Sequence, residues 1–176
     1  MVKGLKEGRE AALDAVIRSY GPSLFRYALV ILGREEDAKD AVQETFIRAF
    51  RQAGSLRDAS TLKGWLYKIT LNLCRDALRR PEGRDEILTE NMNSLPDTSP
   101  SAEDAYIKLE KAQSLKTALL HIPLHYREII LLYYYKEFSI PEVSRITGKP
   151  EGTVKSLLFR GRKLLQDYFS KGRPVT

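Results

Sequence analysis

The sequence predicts an all-α protein made of two small helical domains, and three observations carry that reading. Apolar residues recur at helical spacing through nearly the whole chain, with no sustained period-two alternation. The pattern breaks once, in a stretch holding Asn91, Asn93, Ser94, Pro96, Asp97, Thr98, Ser99 and Pro100 with little to bury. Charge divides at the same place. Of the 29 Lys and Arg and 23 Asp and Glu among 176 residues, 15 basic and 10 acidic side chains (+5) lie in 1–81, 1 and 7 (−6) in 82–106, and 13 and 6 (+7) in 107–176. The expected organisation is therefore a helical domain over 1–81, a flexible acidic linker over 82–106 and a second helical domain over 107–176, each block near the lower end of the usual domain range of ~50–200 residues.

The first block reads as helices near 7–19, 22–32, 35–53 and 61–80, separated by Gly21-Pro22, Gly33 and Gly54 and stopped by Pro81. On the third helix Ala38, Val42, Phe46, Ala49 and Ala53 form a packing stripe, while Asp37, Asp40, Gln43, Glu44 and Ile47 point outward. Carboxylates repel DNA, so this face suits a protein partner; acidic residues this close to a helix N-terminus also complement its dipole. On the fourth helix Leu62, Leu66, Ile69 and Leu73 share a narrow arc, and Lys68, Asn72, Arg75 and Arg79 form a stripe beside it. Trp65 precedes Asn72 by two turns and falls on the border between stripe and core. A ring, an amide and cations on one ridge fit single-stranded or melting DNA, where rings stack on bases and cations hold phosphates. A core tryptophan beside a solvated basic face is the competing account.

In the second block periodicity resumes near Ala102 and runs to about Phe169, with breaks at Pro123, Phe138-Ser139 and Gly148-Lys149-Pro150. Ser139-Ile140-Pro141-Glu142 has the form of a capping box with Pro in the first turn, so a short helix is expected over Ile140–Thr147. Gly148 supplies a turn and a second helix starts at 150–153, which makes a helix-turn-helix. Val154, Leu157, Leu158, Gly161, Leu164, Leu165 and Tyr168 fall on one side of that helix. Lys155, Ser156, Phe159, Lys163 and Gln166 fall on the other, flanked by Arg160 and Arg162, a mixture that can take phosphates, guanine edges and a thymine methyl in a major groove. A cationic solvated face is again the alternative. Tyr133, Tyr134 and Tyr135 cannot all share one helix face, so at least one ring must meet solvent or a partner.

Other classes are excluded. With 43% apolar residues the chain can build a core. No apolar run approaches the ~18 residues of a membrane span, and the N-terminal residues do not resemble a signal peptide, so the expected location is cytoplasmic with no membrane insertion. Cys74 is the only cysteine, which leaves no intrachain disulfide and reads as a small buried hydrophobe. His121 and His125 have Pro123 between them, against a shared metal. There is no phosphate-binding glycine loop, nucleophile elbow or paired-carboxylate signature, so neither a cofactor nor catalysis is expected.

Read in order, Glu36-Asp37-Ala38-Lys39-Asp40-Ala41-Val42-Gln43-Glu44-Thr45-Phe46, Gly64-Trp65-Leu66-Tyr67-Lys68-Ile69 with Asn72, Ile122-Pro123-Leu124-His125-Tyr126-Arg127-Glu128, and Gly152-Thr153-Val154-Lys155-Ser156 with Arg160 and Arg162 resemble the extracytoplasmic-function (ECF, group IV) sigma factors of bacterial RNA polymerase over about 20–170. The resemblance implies sigma region 2 and region 4 domains that bind core RNA polymerase and promoter DNA. It places Asp37, Asp40, Gln43, Glu44 and Ile47 on the β′ clamp coiled coil and implies a contact between the protein and the β flap. It matches Trp65 and Asn72 to the minus-ten element, where the stripe residues Lys68, Arg75 and Arg79 are expected to join them, the loop at about 54–63 to a flipped base, and Lys155, Ser156, Phe159 and Arg160 to the minus-thirty-five element, with Lys163 expected beside them on the outward face. The linker would approach the RNA exit path, and an anti-sigma factor would regulate the whole. Leu157 departs from the basic residue common in the family and lies on the packing side of the wheel. The loop over 54–63 lacks the family's frequent Phe. A stand-alone helix-turn-helix regulator is the alternative reading; it would usually dimerise, and no dimerisation helix is evident.

Overall fold

A computed structural model describes residues 2–56, 58–80 and 114–171. The expected linker over 82–106 lies outside them. The described residues form α1 (Val2–Lys6), α2 (Glu10–Leu32), α3 (Glu35–Arg51), α4 (Leu62–Arg79), α5 (114–121), α6 (Leu124–Ile130), α7 (Ile140–Thr147) and α8 (Glu151–Lys171), with no strand among them.

The expected break at Gly21-Pro22 does not occur, because α2 runs unbroken through Pro22 for 23 residues. The helix loses the Pro22 donor but keeps its course: Gly21 backs onto the Phe46 ring of α3, and Tyr27, Ala28, Leu29 and Ile31 are buried beyond it. Burial on both sides of the proline outweighs one missing hydrogen bond. At Gly33 the chain turns as expected, with φ at 79° and the glycine amide donating to the Leu29 carbonyl.

α2, α3 and α4 pack into a three-helix core with Leu24, Tyr27, Leu66, Tyr67 and Leu71 at its centre. Ala38, Phe46 and Ala49 are buried as the stripe on α3 requires, and Val42 packs half-buried beside them; the helix stops at Arg51, short of the expected 53, and Ala53 is buried in the 3-10 turn that follows. The spacing did not mark Thr45, which is also buried; its hydroxyl donates to the Ala41 carbonyl at 2.7 Å and lies 3.0 Å from the Thr70 hydroxyl. Pairing satisfies both hydroxyls without water.

In the second block α6 continues into a π-helical turn over Leu131–Tyr135, and α7 follows after Ser139. The capping box forms: the Glu142 carboxylate accepts the Ser139 amide at 2.8 Å and the Ser139 hydroxyl at 2.6 Å. Gly148, at φ 74°, then turns the chain into α8. α6 and α7 both pack on α8, and α7 packs in addition on α4, so the buried side chains of the two blocks form one continuous core.

Candidate nucleic-acid interface

The outward face of α8 is open. Lys155, Ser156, Phe159, Arg160, Arg162, Lys163 and Gln166 are all exposed, and Phe159 is 65% exposed although its side chain is wholly apolar. Ser156 donates its hydroxyl proton to the Gly152 carbonyl at 3.0 Å, so toward a ligand that oxygen is an acceptor. The opposite side of α8 holds it in place. Val154 and Leu158 are buried, and Leu157 packs half-buried against the core, in keeping with its place on the wheel. Gly161 lets α8 approach α6: a Cβ there would stand 2.8 Å from Ile130 Cδ1 and 3.3 Å from Tyr126 Cβ.

On α4 the expected stripe divides. Lys68, Asn72 and Arg79 are exposed, and Trp65 is half-buried with its ring against the core, as the border position required. Arg75 turns toward the second block. Its Nε donates to Glu128 Oε2 at 3.0 Å and its Nη2 to Oε1 at 2.7 Å, and both Nη groups lie 3.4 Å from the Thr147 carbonyl. The Glu128 side chain is 2% exposed, and Lys149 Nζ stands 4.0 Å from its Oε1. A two-pronged guanidinium–carboxylate pair away from solvent is the strong form of this contact. Helical spacing predicted Arg75's face but held no sign of a partner 53 residues away.

The joint between the blocks has further polar anchors. Arg127 Nη1 donates to the Ile31 carbonyl at 2.7 Å at the end of α2, while its Nη2 donates to the Leu120 and Ile122 carbonyls at 2.7 and 3.1 Å. A cation at the C-terminal carbonyls of a helix complements the dipole. Burial pulls the Arg127 pKa down to about 10. Lys136 Nζ donates to the Ser23 hydroxyl at 3.0 Å, and Lys63 Nζ to the Lys136 carbonyl at 2.8 Å. Between them Phe138 meets the Tyr67 ring edge-on at 5.2 Å, and Gly64 faces Ile146 and Phe138.

On α3, Asp40, Gln43 and Ile47 are exposed. Asp37 and Glu44 are half-buried and already paired, with Arg34 at 3.5 Å and Arg48 at 2.7 Å. An open apolar groove of about 520 Å³ lies beside them, lined by Leu13, Ile17, Phe25, Val42, Phe46 and Phe50 and bordered by Gln43 and Ile47. The wheel of α3 marked Ile47 as an outward apolar residue, but the α2 wall of the groove is a tertiary feature.

In the loop over 54–63, Asp58 accepts the Ser60 amide at 2.9 Å and its hydroxyl at 2.6 Å, which holds the carboxyl below the usual carboxylate range. Elsewhere, Tyr134 and Tyr135 are the rings of the triplet that face solvent, and Cys74 is buried. His121 Nδ1 lies 2.8 Å from the Thr117 carbonyl and its ring stacks near Tyr168, while His125 lies against Tyr126. Among the described residues no His, Cys, Asp and Glu side chains cluster as a metal site.

Two family models match the chain, Sigma-70 region 2 over residues 16–84 and Sigma-70 region 4 over 112–165. The ECF RNA polymerase sigma factor SigE of Mycolicibacterium smegmatis is 34% identical over 93% of this chain, which spans 65% of that protein's length. SigW of Bacillus subtilis, also an ECF RNA polymerase sigma factor, is 30% identical over 94% of this chain and 92% of its own. The sigma factor RpoE from Bartonella quintana, solved in complex with the anti-sigma factor NepR, superposes with a TM-score of 0.71 at 26% identity and covers 91% of this chain and 98% of its own.

Proposed function

The chain belongs to the ECF sigma factors of bacterial RNA polymerase, and on that premise we propose that it binds core polymerase and directs promoter-specific initiation as a non-catalytic subunit acting in the cytoplasm. The observation that carries this reading is the pairing of two unlike surfaces in one chain. The α8 face of cations, an acceptor hydroxyl and the bare Phe159 ring suits a base-reading helix. On α3, Gln43 and Ile47 line an apolar groove and Asp40 is exposed on the same helix, which suits a protein partner.

The first domain, 1–81, takes core polymerase on Asp37, Asp40, Gln43, Glu44 and Ile47 and the minus-ten element on Trp65, Lys68, Asn72, Arg75 and Arg79. The second, 107–176, takes the minus-thirty-five element on Lys155, Ser156, Phe159, Arg160 and Lys163. Lys and Arg hold phosphates; Asn72 and the Trp65 ring suit bases exposed by melting. The solved complex of RpoE with NepR supports an anti-sigma factor as regulator of this chain too. No helix among the described residues is long and apolar enough to cross a membrane.

Reconstitution with bacterial core polymerase, followed by sequencing of transcript starts across a genome, tests the proposal. The expected result is a set of starts sharing both elements. Tight sequence-specific binding to duplex DNA by the free protein would point instead to a stand-alone regulator, and a lack of starts above core polymerase alone would overturn the reading.

A further inference from the structure

Two side chains of α7 tie down the turn that leads into α8. Gly148 donates its amide to the Ser144 carbonyl at 2.9 Å, which closes α7 in the usual way. At Lys149 both backbone groups then meet side chains. Its amide donates to the Thr147 hydroxyl at 3.4 Å, and that hydroxyl donates in turn to the Val143 carbonyl at 2.7 Å. Its carbonyl accepts the Ser144 hydroxyl at 2.6 Å. Ser144 therefore holds the turn twice, by its own carbonyl at Gly148 and by its hydroxyl at Lys149. Pro150 comes next and disfavours helical backbone at Lys149, so α8 takes its direction from a peptide that Ser144 fixes in place.

That direction matters on the outward face of α8. Val154, Leu158 and Gly161 keep the helix against the core, but apolar burial is non-directional and resists separation more than tilt. Phe159 stands eight residues beyond Glu151, or ~12 Å along the axis at ~1.5 Å per residue, so a tilt of about 5° at the turn moves it by about 1 Å. A binding group has to be held within ~0.5 Å of its productive place. We propose that Ser144 is a positioning residue for minus-thirty-five reading: its hydroxyl, acting through the Lys149 carbonyl, aims α8 so that Lys155, Ser156, Phe159 and Arg160 meet base edges in register. The assignment of that face to DNA rests on the function proposed above; the aiming of α8 rests on the turn alone.

The test removes the hydroxyl and keeps the helix. Ser144→Ala gives up one hydrogen bond for a better helix former, while Ser144→Val and Ser144→Thr share a branched shape and differ in the hydroxyl. In the full chain, amide hydrogen exchange at Gly148 and Lys149 should quicken about fivefold in Ser144→Ala and Ser144→Val and stay at the wild-type rate in Ser144→Thr. Thermal midpoints should stay within about 4 °C of the wild type. The holoenzyme is then given a promoter found by transcript-start sequencing and a copy of it with the minus-thirty-five element scrambled. Its preference for the intact promoter, read by footprinting, should fall about tenfold in Ser144→Ala and Ser144→Val and return in Ser144→Thr. Weaker binding to both promoters by the same factor marks a merely structural residue and overturns the proposal, as does unchanged exchange in the two variants that lack the hydroxyl. Quickened exchange with an unchanged preference overturns the part in reading. A wild-type holoenzyme that yields no starts is a failure of the proposed function, seen before any variant is compared, and the exchange rates then still decide whether Ser144 holds the turn.

Discussion

Lys136 carries its ammonium into the joint between the blocks, and burial, with Arg26 and Lys63 nearby, lowers its pKa from 10.5 to about 8. Below pH 8 the group is protonated in the folded and unfolded chains alike, so the cost of burying it is fully present. Between about 8 and 10.5 the unfolded chain binds more protons, and this group's contribution to stability rises with pH. Cys74 and Tyr67, both raised by burial to about 12, act with the opposite sign at alkaline pH, because they ionise first in the unfolded chain. Comparison with Lys136→Met cancels them: the variant is expected to be the more stable protein at pH 7, with its advantage shrinking from pH 8 to 10 in urea titrations followed by circular dichroism. An advantage independent of pH would show that the ammonium is not desolvated. Phe159 belongs to the opposite case. Its ring rests on little of the protein, so Phe159→Ala should change stability by no more than about 0.5 kcal/mol while weakening promoter capture by the holoenzyme, read by footprinting at the minus-thirty-five element. The sequence placed Phe159 outward by its angle on the wheel, and that angle is a local property. It gave Arg75 the same standing, and there the neighbour rather than the angle decided.

At the scale of elements, the helix-turn-helix was the most legible part of the chain, because each of its signals is covalently close to its effect. Ser139 and Glu142 are three residues apart and fix where α7 begins; Gly148 adopts the backbone that ends it. Gly148→Ala must place a Cβ in the left-handed region and is expected to cost about 1 kcal/mol, measured by denaturant midpoint. Gly161 was readable as a packing residue, but not as a close approach. With Ile130 Cδ1 at 2.8 Å and Tyr126 Cβ at 3.3 Å from its position, Gly161→Val should overpack the contact of α6 with α8 by about 2 kcal/mol, more than the same change costs at Gly152, where nothing lies within 4 Å. Equal losses at the two glycines would remove the packing explanation. The same contrast explains Pro22. Its local signal is a helix break, yet the walls on both sides of α2 keep one helix where periodicity and punctuation predicted two.

At the scale of the molecule, the buried side chains of both blocks belong to one core, joined by Arg127, Lys136 and the Arg75–Glu128 pair. Unfolding should therefore be a single transition. Arg127→Gln gives up charged donation to the end of α2, worth about 1.5–3 kcal/mol, and is expected to lower the calorimetric midpoint and broaden or split the transition; an unchanged sharp transition would mean that Arg127 does not couple the blocks. The sequence by itself determined the two basic blocks around an acidic segment, nearly every helix, and the outward faces of α3, α4 and α8. Helix periodicity, caps and net charge depend on residues a few positions apart or on sums over a stretch. Only the tertiary structure decided that α2 continues through Pro22, that a groove lies beside α3, and that Arg75 faces a carboxylate 53 positions away. Those outcomes depend on which surfaces meet, and a contact made across the chain leaves no period for one sequence to display.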